Sequence, residues 1–210
     1  MVIITAGMIG VGKTTLTKLI SKHLHTKPFF ESVKDNPVLP LYYSNPKQYG
    51  FLLQIYFLNL RFKMIKKAFS DNNNVLDRSI YEDALFTKQN YLDGNISKQE
   101  MRVYSELLNN MMTQLDKLDK SAPDLLVYAY SDFPTVLYRI KKRGRPYEQV
   151  KGNPKLKKYY YKIWLKYKSW YKNYTKSPKI KINLQKNNLE KKENQKRVLI
   201  QIDRKLKTIY

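Results

Sequence analysis

Cysteine is absent from the 210-residue chain, which excludes a disulfide scaffold and any thiolate metal site. Long hydrophobic runs are also missing. None approaches the roughly 18 apolar residues of a membrane-spanning helix, so we expect no membrane partner. Strand-like apolar residues begin at Val2 and leave no room for a signal or transit peptide. Together these absences predict a protein of the reducing cytoplasm.

Acidic side chains are scarce as well, with 17 Asp+Glu against 40 Lys+Arg and a formal net charge of +23. A charge of this size is typical of nucleic-acid-binding proteins. The excess is uneven, because residues 1–138 hold 16 basic and 13 acidic side chains whereas residues 139–210 hold 24 and 4. Lysine outnumbers arginine by 32 to 8, although nucleic-acid recognition favours arginine. The charge therefore belongs to one segment and does not by itself assign a function.

Short β-branched runs alternate with longer segments of helical periodicity along the chain. We predict strands over residues 2–6, 28–31, 75–76, 125–130 and 179–184, and a loop over 35–40. We predict helices over 13–24, 49–69, 97–118, 153–174 and 189–209, one that follows a Ser79–Glu82 capping box, and one between Asp132 and Gly144. This alternation predicts one α/β domain over residues 1–210, with a parallel sheet of about five strands covered by helices on both faces.

The first predicted turn matches the phosphate-binding pattern G-x-x-x-x-G-K-[ST]. Its residues are Gly7, Met8, Ile9, Gly10, Val11, Gly12, Lys13 and Thr14, followed by Thr15. Glycines let backbone N–H groups turn inward towards phosphate oxygens, and the following helix presents the positive end of its dipole to the same anion. Lys13 supplies a charge for the β- and γ-phosphates, and Thr14 supplies a hydroxyl for Mg²⁺. Because the motif follows a strand and opens a helix, it predicts a nucleoside-triphosphate site.

Further motifs follow this loop along the chain. They are Phe30–Pro37, Leu41–Tyr43, Gln54 with Arg61, Asp77–Asp83, and Arg139–Arg145 with Glu148. In this order they resemble the deoxynucleoside kinase family, and the match is close to its bacterial deoxyadenosine/deoxyguanosine kinase branch. The resemblance implies a P-loop kinase fold with an Arg-rich lid at about residues 139–153. It also implies transfer of the ATP γ-phosphate to the 5′-hydroxyl of a deoxynucleoside in salvage, with purines preferred and deoxyadenosine first.

The same resemblance assigns roles in the chemistry. Glu31 would be the general base for the 5′-hydroxyl, Arg78 would stabilise charge on the phosphoryl group, and Lys13 would contact the triphosphate. Asp77 would join Thr14 in holding Mg²⁺. From the residues alone, Glu31 lies at a strand end beside aromatic residues, where a carboxylate can have a raised pKa. A solvated loop glutamate is the alternative.

The resemblance also names residues for the acceptor. Gln54, Arg61 and Asp83 would read the base, and Tyr43 and Glu148 would hold the sugar 3′-hydroxyl. Gln54 and Arg61 are seven positions apart and share a face of an otherwise apolar predicted helix. A structural salt bridge beside a surface glutamine is the alternative for this set.

Three arginines are expected over the donor phosphates. The resemblance places Arg139, Arg143 and Arg145 on the lid, where a forked guanidinium suits phosphate oxygens and developing charge. Considered without the family, this basic run could equally be a polyanion patch.

Residues 155–176 interleave lysine with tyrosine and tryptophan, as single-strand nucleic-acid platforms do. The spacing favours an amphipathic helix instead, since Tyr160, Ile163, Tyr167 and Trp170 share one stripe. Most of the lysines fall on the opposite side. We therefore predict a core helix with a solvated lysine face.

Segment 49–69 is apolar on nearly every side, and such a helix needs cover from its own domain and a second subunit. With the family resemblance, this predicts a homodimer, or a heterodimer with a paralogue, and no nucleic-acid partner. Two alternatives remain open. One is a nucleoside-monophosphate kinase of the thymidylate kinase type, and the other is a basic nucleic-acid-binding P-loop protein.

Lys13→Ala is expected to abolish phosphoryl transfer while the fold survives, because it removes the charge that faces the β- and γ-phosphates. Labelled γ-phosphate transfer measures the first effect and far-UV circular dichroism the second. Undiminished transfer by the folded variant would refute the triphosphate site.

Overall fold

The computed structural model describes residues 1–31 and 36–210. The middle of the Phe30–Pro37 motif, Ser32 to Asp35, lies outside the described residues.

The sheet has five parallel strands, as predicted. They are β1 (Val2–Ala6), β2 (Lys27–Phe29), β3 (Asn74–Asp77), β4 (Leu125–Tyr130) and β5 (Lys179–Asn183). Their order across the sheet is β2-β3-β1-β4-β5, and every neighbouring pair is parallel. The central strand β1 is fully buried, which suits its run of β-branched residues. In such a sheet the carboxyl ends of the strands meet at one edge, where α/β proteins bind their ligands.

Helices cover both faces of the sheet. They are α1 (Lys13–His23), α2 (Leu39–Ser44), α3 (Pro46–Asp71), α4 (Asp83–Leu92), α5 (Lys98–Asp116), α6 (Phe133–Arg143), α7 (Pro154–Asn173) and α8 (Lys192–Leu206). Short 3₁₀ turns occupy Ile80–Glu82 and Pro146–Glu148. None of the helices in the described ranges is long and apolar enough to cross a membrane.

The predicted caps of two helices are confirmed. Ser97 and Glu100 form the capping box of α5. The Asp132 side chain accepts from the amide of Thr135 at the start of α6, and Gly144 ends that helix with φ +74°. This left-handed backbone is strained for any residue with a Cβ, which explains the glycine.

Two local predictions are wrong. The stretch predicted as a loop ends in a helix, since α2 begins at Leu39 with Pro40 in its first turn. Just before it, the Asn36 side chain accepts from the amides of Val38 and Leu39. The predicted Ser79–Glu82 capping box is absent from this described segment. Ser79 caps a 3₁₀ turn, while the carboxylate of Glu82 turns away to accept from the amide of Gly7.

The alternation of side chains along the strands separates two cores. Ile3 faces the side covered by α1, α6, α7 and α8, whereas Val2 and Ile4 face α3 and α5. On α7 the aromatic stripe lies in the first core, with Tyr160, Ile163 and Tyr167 buried. Most of its lysines are exposed, and Lys162 and Lys166 are half-buried. The core interpretation of this helix is therefore confirmed.

Candidate active site

The phosphate-binding loop joins the carboxyl end of β1 to the start of α1. Gly7, Gly10 and Gly12 have φ of +145°, +79° and +107°, which residues with a Cβ rarely adopt. A Cβ on Gly7 would also stand 2.3 Å from the carbonyl oxygen of Ala129. Glycine is required there by both space and backbone conformation.

Lys13 folds back into this loop. Its Nζ donates to the carbonyl oxygens of Gly7 (2.9 Å) and Met8 (3.0 Å). Burial, together with the neighbouring charge of Arg78, lowers the pKa of Lys13 to about 8 against the pull of nearby carboxylates. An anionic phosphate in the loop would favour the charged form, so Lys13 is poised to respond to a bound triphosphate.

Thr14, in the first turn of α1, meets Asp77 at the carboxyl end of β3. The Thr14 hydroxyl donates to the Asp77 carboxylate, and Asp77 ends β3 beside β1. Such hard oxygen donors are the ligands Mg²⁺ accepts, usually with phosphate oxygens and waters completing the shell. Over residues 1–31 and 36–210 there is no group of three or more His, Cys, Asp or Glu residues able to hold a metal. The Thr14–Asp77 pair fits a Mg²⁺ whose remaining ligands come from nucleotide phosphates and water.

A cavity of about 370 Å³ opens in front of the loop and collects most of the predicted site residues. Its lining includes Lys13, Thr14, Glu31, Tyr43, Gln54, Arg61, Asp77, Arg78, Arg143, Arg145 and Glu148. A cavity of this size, beside a phosphate-binding loop, suits a small-molecule substrate.

Glu31 lies between two buried guanidinium groups in this cavity. Its carboxylate accepts from Arg61 Nε at 2.9 Å and lies 3.4 Å from Arg78 Nε. Burial disfavours the charge, but Arg61 and then Arg78 outweigh it and hold the pKa of Glu31 below its ordinary value. The expectation of a raised pKa is therefore wrong, because strand position alone does not reveal these two partners.

Arg61 and Asp83 form the predicted ion pair, which is buried. Asp83 also accepts from the Tyr104 hydroxyl, so both of its oxygens are engaged behind Arg61. Gln54 is 3% exposed and its Oε1 accepts from Thr87 at 3.3 Å, which excludes the surface-glutamine alternative. Gln54 and Arg61 thus face the cavity, whereas Asp83 contacts Arg61 from outside its lining.

Tyr43 and Glu148 line the same cavity from α2 and from the 3₁₀ turn after α6. The Tyr43 hydroxyl lies 3.1 Å from that of Tyr160. Glu148 is buried and forms ion pairs with both Arg143 and Arg145. Two of the three predicted lid arginines are therefore bound to a predicted sugar-site residue.

Arg139 lies elsewhere. Its guanidinium donates to the carbonyl oxygens of Val11 (2.5 Å) and Leu184 (2.6 Å), which fastens α6 to the back of the phosphate-binding loop. It borders a second cavity of about 320 Å³ together with Gly12, Thr15 and Arg143. Because Arg139 and Arg143 belong to helix α6, the closing lid over residues 139–153 stays a prediction.

A family model described as "Deoxynucleoside kinase" matches residues 3–207. The chain belongs to the deoxynucleoside kinase family. It is 53% identical to the deoxyguanosine kinase of Lactobacillus johnsonii over 98% of this chain and 92% of that one. It is 47% identical to the deoxyadenosine kinase of Lactobacillus acidophilus over 99% of this chain and 97% of that one. The solved deoxyadenosine kinase of M. mycoides with bound dCTP superposes with a TM-score of 0.81 at 30% identity, covering 97% of this chain and 99% of that one.

These matches confirm the resemblance drawn from the motifs, the P-loop kinase fold and the enzyme class of an ATP-dependent deoxynucleoside kinase. They disfavour both alternatives, a monophosphate kinase and a nucleic-acid-binding P-loop protein. The basic carboxyl-terminal segment of this deoxynucleoside kinase is therefore no guide to its activity.

Sequence reasoning missed two side chains of this deoxynucleoside kinase. Glu82 is 1% exposed and accepts from the Tyr167 hydroxyl at 2.7 Å and from the amide of Gly7 at 3.1 Å. Glu82 looked like a capping residue and Tyr167 like one more core aromatic. Two adjacent acidic residues in Tyr81-Glu82-Asp83 were the available signal, since buried carboxylates need partners.

Glu31→Gln is expected to lower kcat by at least about 100-fold, because it removes the carboxylate predicted to accept the 5′-hydroxyl proton, and to destabilise the fold by about 2 kcal/mol at pH 7. The Glu31 pKa is lowered by folding, so its contribution to stability is present above the unfolded value, near 4.5, and is lost as pH falls through the folded pKa. The difference between wild type and variant in urea unfolding should therefore shrink below about pH 4.5. Glu193→Gln, exposed on α8, is the matched control. A pH-independent difference would contradict the ionised Glu31.

Proposed function

We propose that this deoxynucleoside kinase phosphorylates the 5′-hydroxyl of a purine deoxynucleoside, with Glu31 as the base and Lys13 and Arg78 at the transferred phosphoryl group. The observation that carries the proposal is the position of the Glu31 side chain, held by Arg61 and Arg78 in a cavity that Lys13 and Thr14 also line. Glu31 and the phosphate-binding loop would thus lie on either side of the place where the 5′-oxygen meets the γ-phosphate.

Glu31 works as an orienting acceptor more than as a strong base. Its lowered pKa leaves it ionised at neutral pH and ready to take the hydroxyl proton, but weakens its driving force for proton transfer. Phosphoryl transfer gains most of its acceleration from positioning and electrostatics, so a weak, well-placed carboxylate suffices. Arg78 and Lys13 supply the charge that the transferring group needs.

Mg²⁺ is the expected cofactor, held by Thr14 and Asp77. When bound with ATP, it would neutralise charge on the β- and γ-phosphates. Arg143 and Arg145 would add guanidinium groups from the cavity rim, and the backbone of the loop would hold the remaining phosphate oxygens.

The nucleobase of the acceptor is proposed to lie against Gln54 and Arg61. Thr87 sets the orientation of the Gln54 amide, which offers both a donor and an acceptor to a purine edge. Relatives named for deoxyguanosine and for deoxyadenosine are 53% and 47% identical to this chain, which supports a purine substrate. Tyr43 and Glu148 would then face the sugar. Deoxyadenosine before deoxyguanosine stays a prediction.

A dimer is proposed through α3 and α5. Helix α3 is buried along much of its length, yet Leu52 on α3 is 49% exposed and Val103 on α5 is 52% exposed. The two helices contact each other and cover the same face of the sheet. Apolar surface of this kind is typical of an interface between subunits. The partner would be a second copy or a paralogue, and the proposed reaction, set in the cytoplasm, needs neither nucleic acid nor membrane.

Labelled γ-phosphate transfer from ATP tests the acceptor, with the four deoxynucleosides, their monophosphates and the ribonucleosides as candidates. We expect transfer to purine deoxynucleosides, with deoxyadenosine giving the highest kcat/KM. Transfer to monophosphates alone, or to ribonucleosides as well as to deoxynucleosides, would overturn the proposed acceptor.

Leu52→Lys is expected to convert the dimer to a monomer, because it places a charge in an apolar interface. Sedimentation velocity measures the change. Leu165→Lys is the matched control, since Leu165 is 51% exposed on α7, away from the proposed interface. Equal sedimentation of both variants and wild type would contradict the α3–α5 interface.

A further inference from the structure

Four hydrogen bonds close a ring behind the phosphate-binding loop. Arg78 Nη1 donates to the Tyr167 hydroxyl (3.1 Å), and that hydroxyl donates to Glu82 Oε2 (2.7 Å). The amide of Gly7 donates to the same Glu82 oxygen (3.1 Å), and the Gly7 carbonyl accepts from Arg78 Nη2 (3.2 Å). The ring joins three distant parts of the chain around one guanidinium.

Two members of the ring, Tyr167 and Arg78, are also held by aromatic neighbours outside it. Tyr167 is 1% exposed, and its ring stacks on Tyr128 with centroids 6.0 Å apart. The Arg78 guanidinium lies 4.7 Å from the centroid of the Phe86 ring. Side chains packed in this way have few other rotamers open to them.

The nitrogen atoms of the Arg78 guanidinium face two different groups of partners. Its Nε faces Glu31 in the cavity, while Nη1 and Nη2 are taken by Tyr167 and Gly7. Glu82 lies 3.6 Å from Nη1 and has no side-chain atoms exposed, so it is a counterion that neither substrate can reach. When Glu31 accepts a proton and loses its charge, Glu82 still balances Arg78.

We propose that Glu82 and Tyr167 are positioning residues, which hold the Arg78 guanidinium at the transferring phosphoryl group and fix the backbone of Gly7, the first residue of the phosphate-binding loop. They touch neither substrate and act through Arg78 and Gly7. Their effect should therefore appear in the chemical step, because charge on the phosphoryl group develops only there.

The proposal rests on the proposed phosphoryl transfer and predicts how kcat and KM separate. Tyr167→Phe keeps the ring and removes the hydroxyl, and should lower kcat about tenfold with both KM values changed less than about twofold. Glu82→Gln keeps the shape and removes the charge, and should lower kcat further. Tyr174→Phe is the control, because Tyr174 is also buried at the end of α7 but its hydroxyl contacts only Ser177 within the described hydrogen-bond network.

Double variants test whether Glu82 and Tyr167 both act through Arg78. In an Arg78→Lys background, Tyr167→Phe should produce little further loss, since the guanidinium it positions is gone. The Glu82→Gln/Tyr167→Phe double variant should likewise lose less than the product of the two single losses.

Provided that the wild-type enzyme phosphorylates a deoxynucleoside, any of three results would overturn the inference. One is a Tyr167→Phe kcat equal to that of Tyr174→Phe. Another is an undiminished Tyr167→Phe loss in the Arg78→Lys background. The third is a lowered melting temperature with unchanged kcat per folded molecule, which marks a purely structural role. Absence of deoxynucleoside phosphorylation by wild type would instead overturn the proposed function, so the two failures are distinguishable.

Discussion

The rest of the site depends on the contacts made by the buried guanidinium of Arg78. It faces the carboxylate of Glu31 on one side and the backbone of the phosphate-binding loop on the other. Burial opposes its charge, but Glu82 and then the other surrounding anionic groups hold the pKa of Arg78 well above its usual range. A permanent cation at this point lets one side chain serve both the acceptor and the donor.

This constraint explains several features that look unrelated. Arg78 has φ +74°, a backbone conformation uncommon for a residue with a side chain, and such strain is tolerated where surrounding contacts determine the conformation. Helix α7 carries Tyr167 into the ring, so the most basic part of the chain also supports the site. The aromatic face of that helix therefore does more than fill a core.

The net charge of +23 has a correspondingly modest meaning. Exposed lysines on α7, such as Lys155, Lys158 and Lys172, account for part of it, and only a few arginines line the cavities. A positive surface raises the local concentration of anionic nucleotides, which suits an enzyme of triphosphates. The net charge therefore reflects exposed side chains and does not indicate which reaction the site performs.

The sequence by itself determined the elements whose causes are local. The phosphate-binding loop, the five strands, the Ser97–Glu100 cap and the amphipathic face of α7 depend on neighbouring residues, so patterns along the chain predicted them. The motifs likewise predicted most of the side chains that share the cavity, although Asp83 and Arg139 lie outside its lining. Only the tertiary structure decided the lowered pKa of Glu31, the attachment of Arg139 to the back of the loop, and the ring through Glu82 and Tyr167. These depend on charges and hydrogen bonds between distant segments, and a linear pattern does not carry the distance or burial that sets their strength.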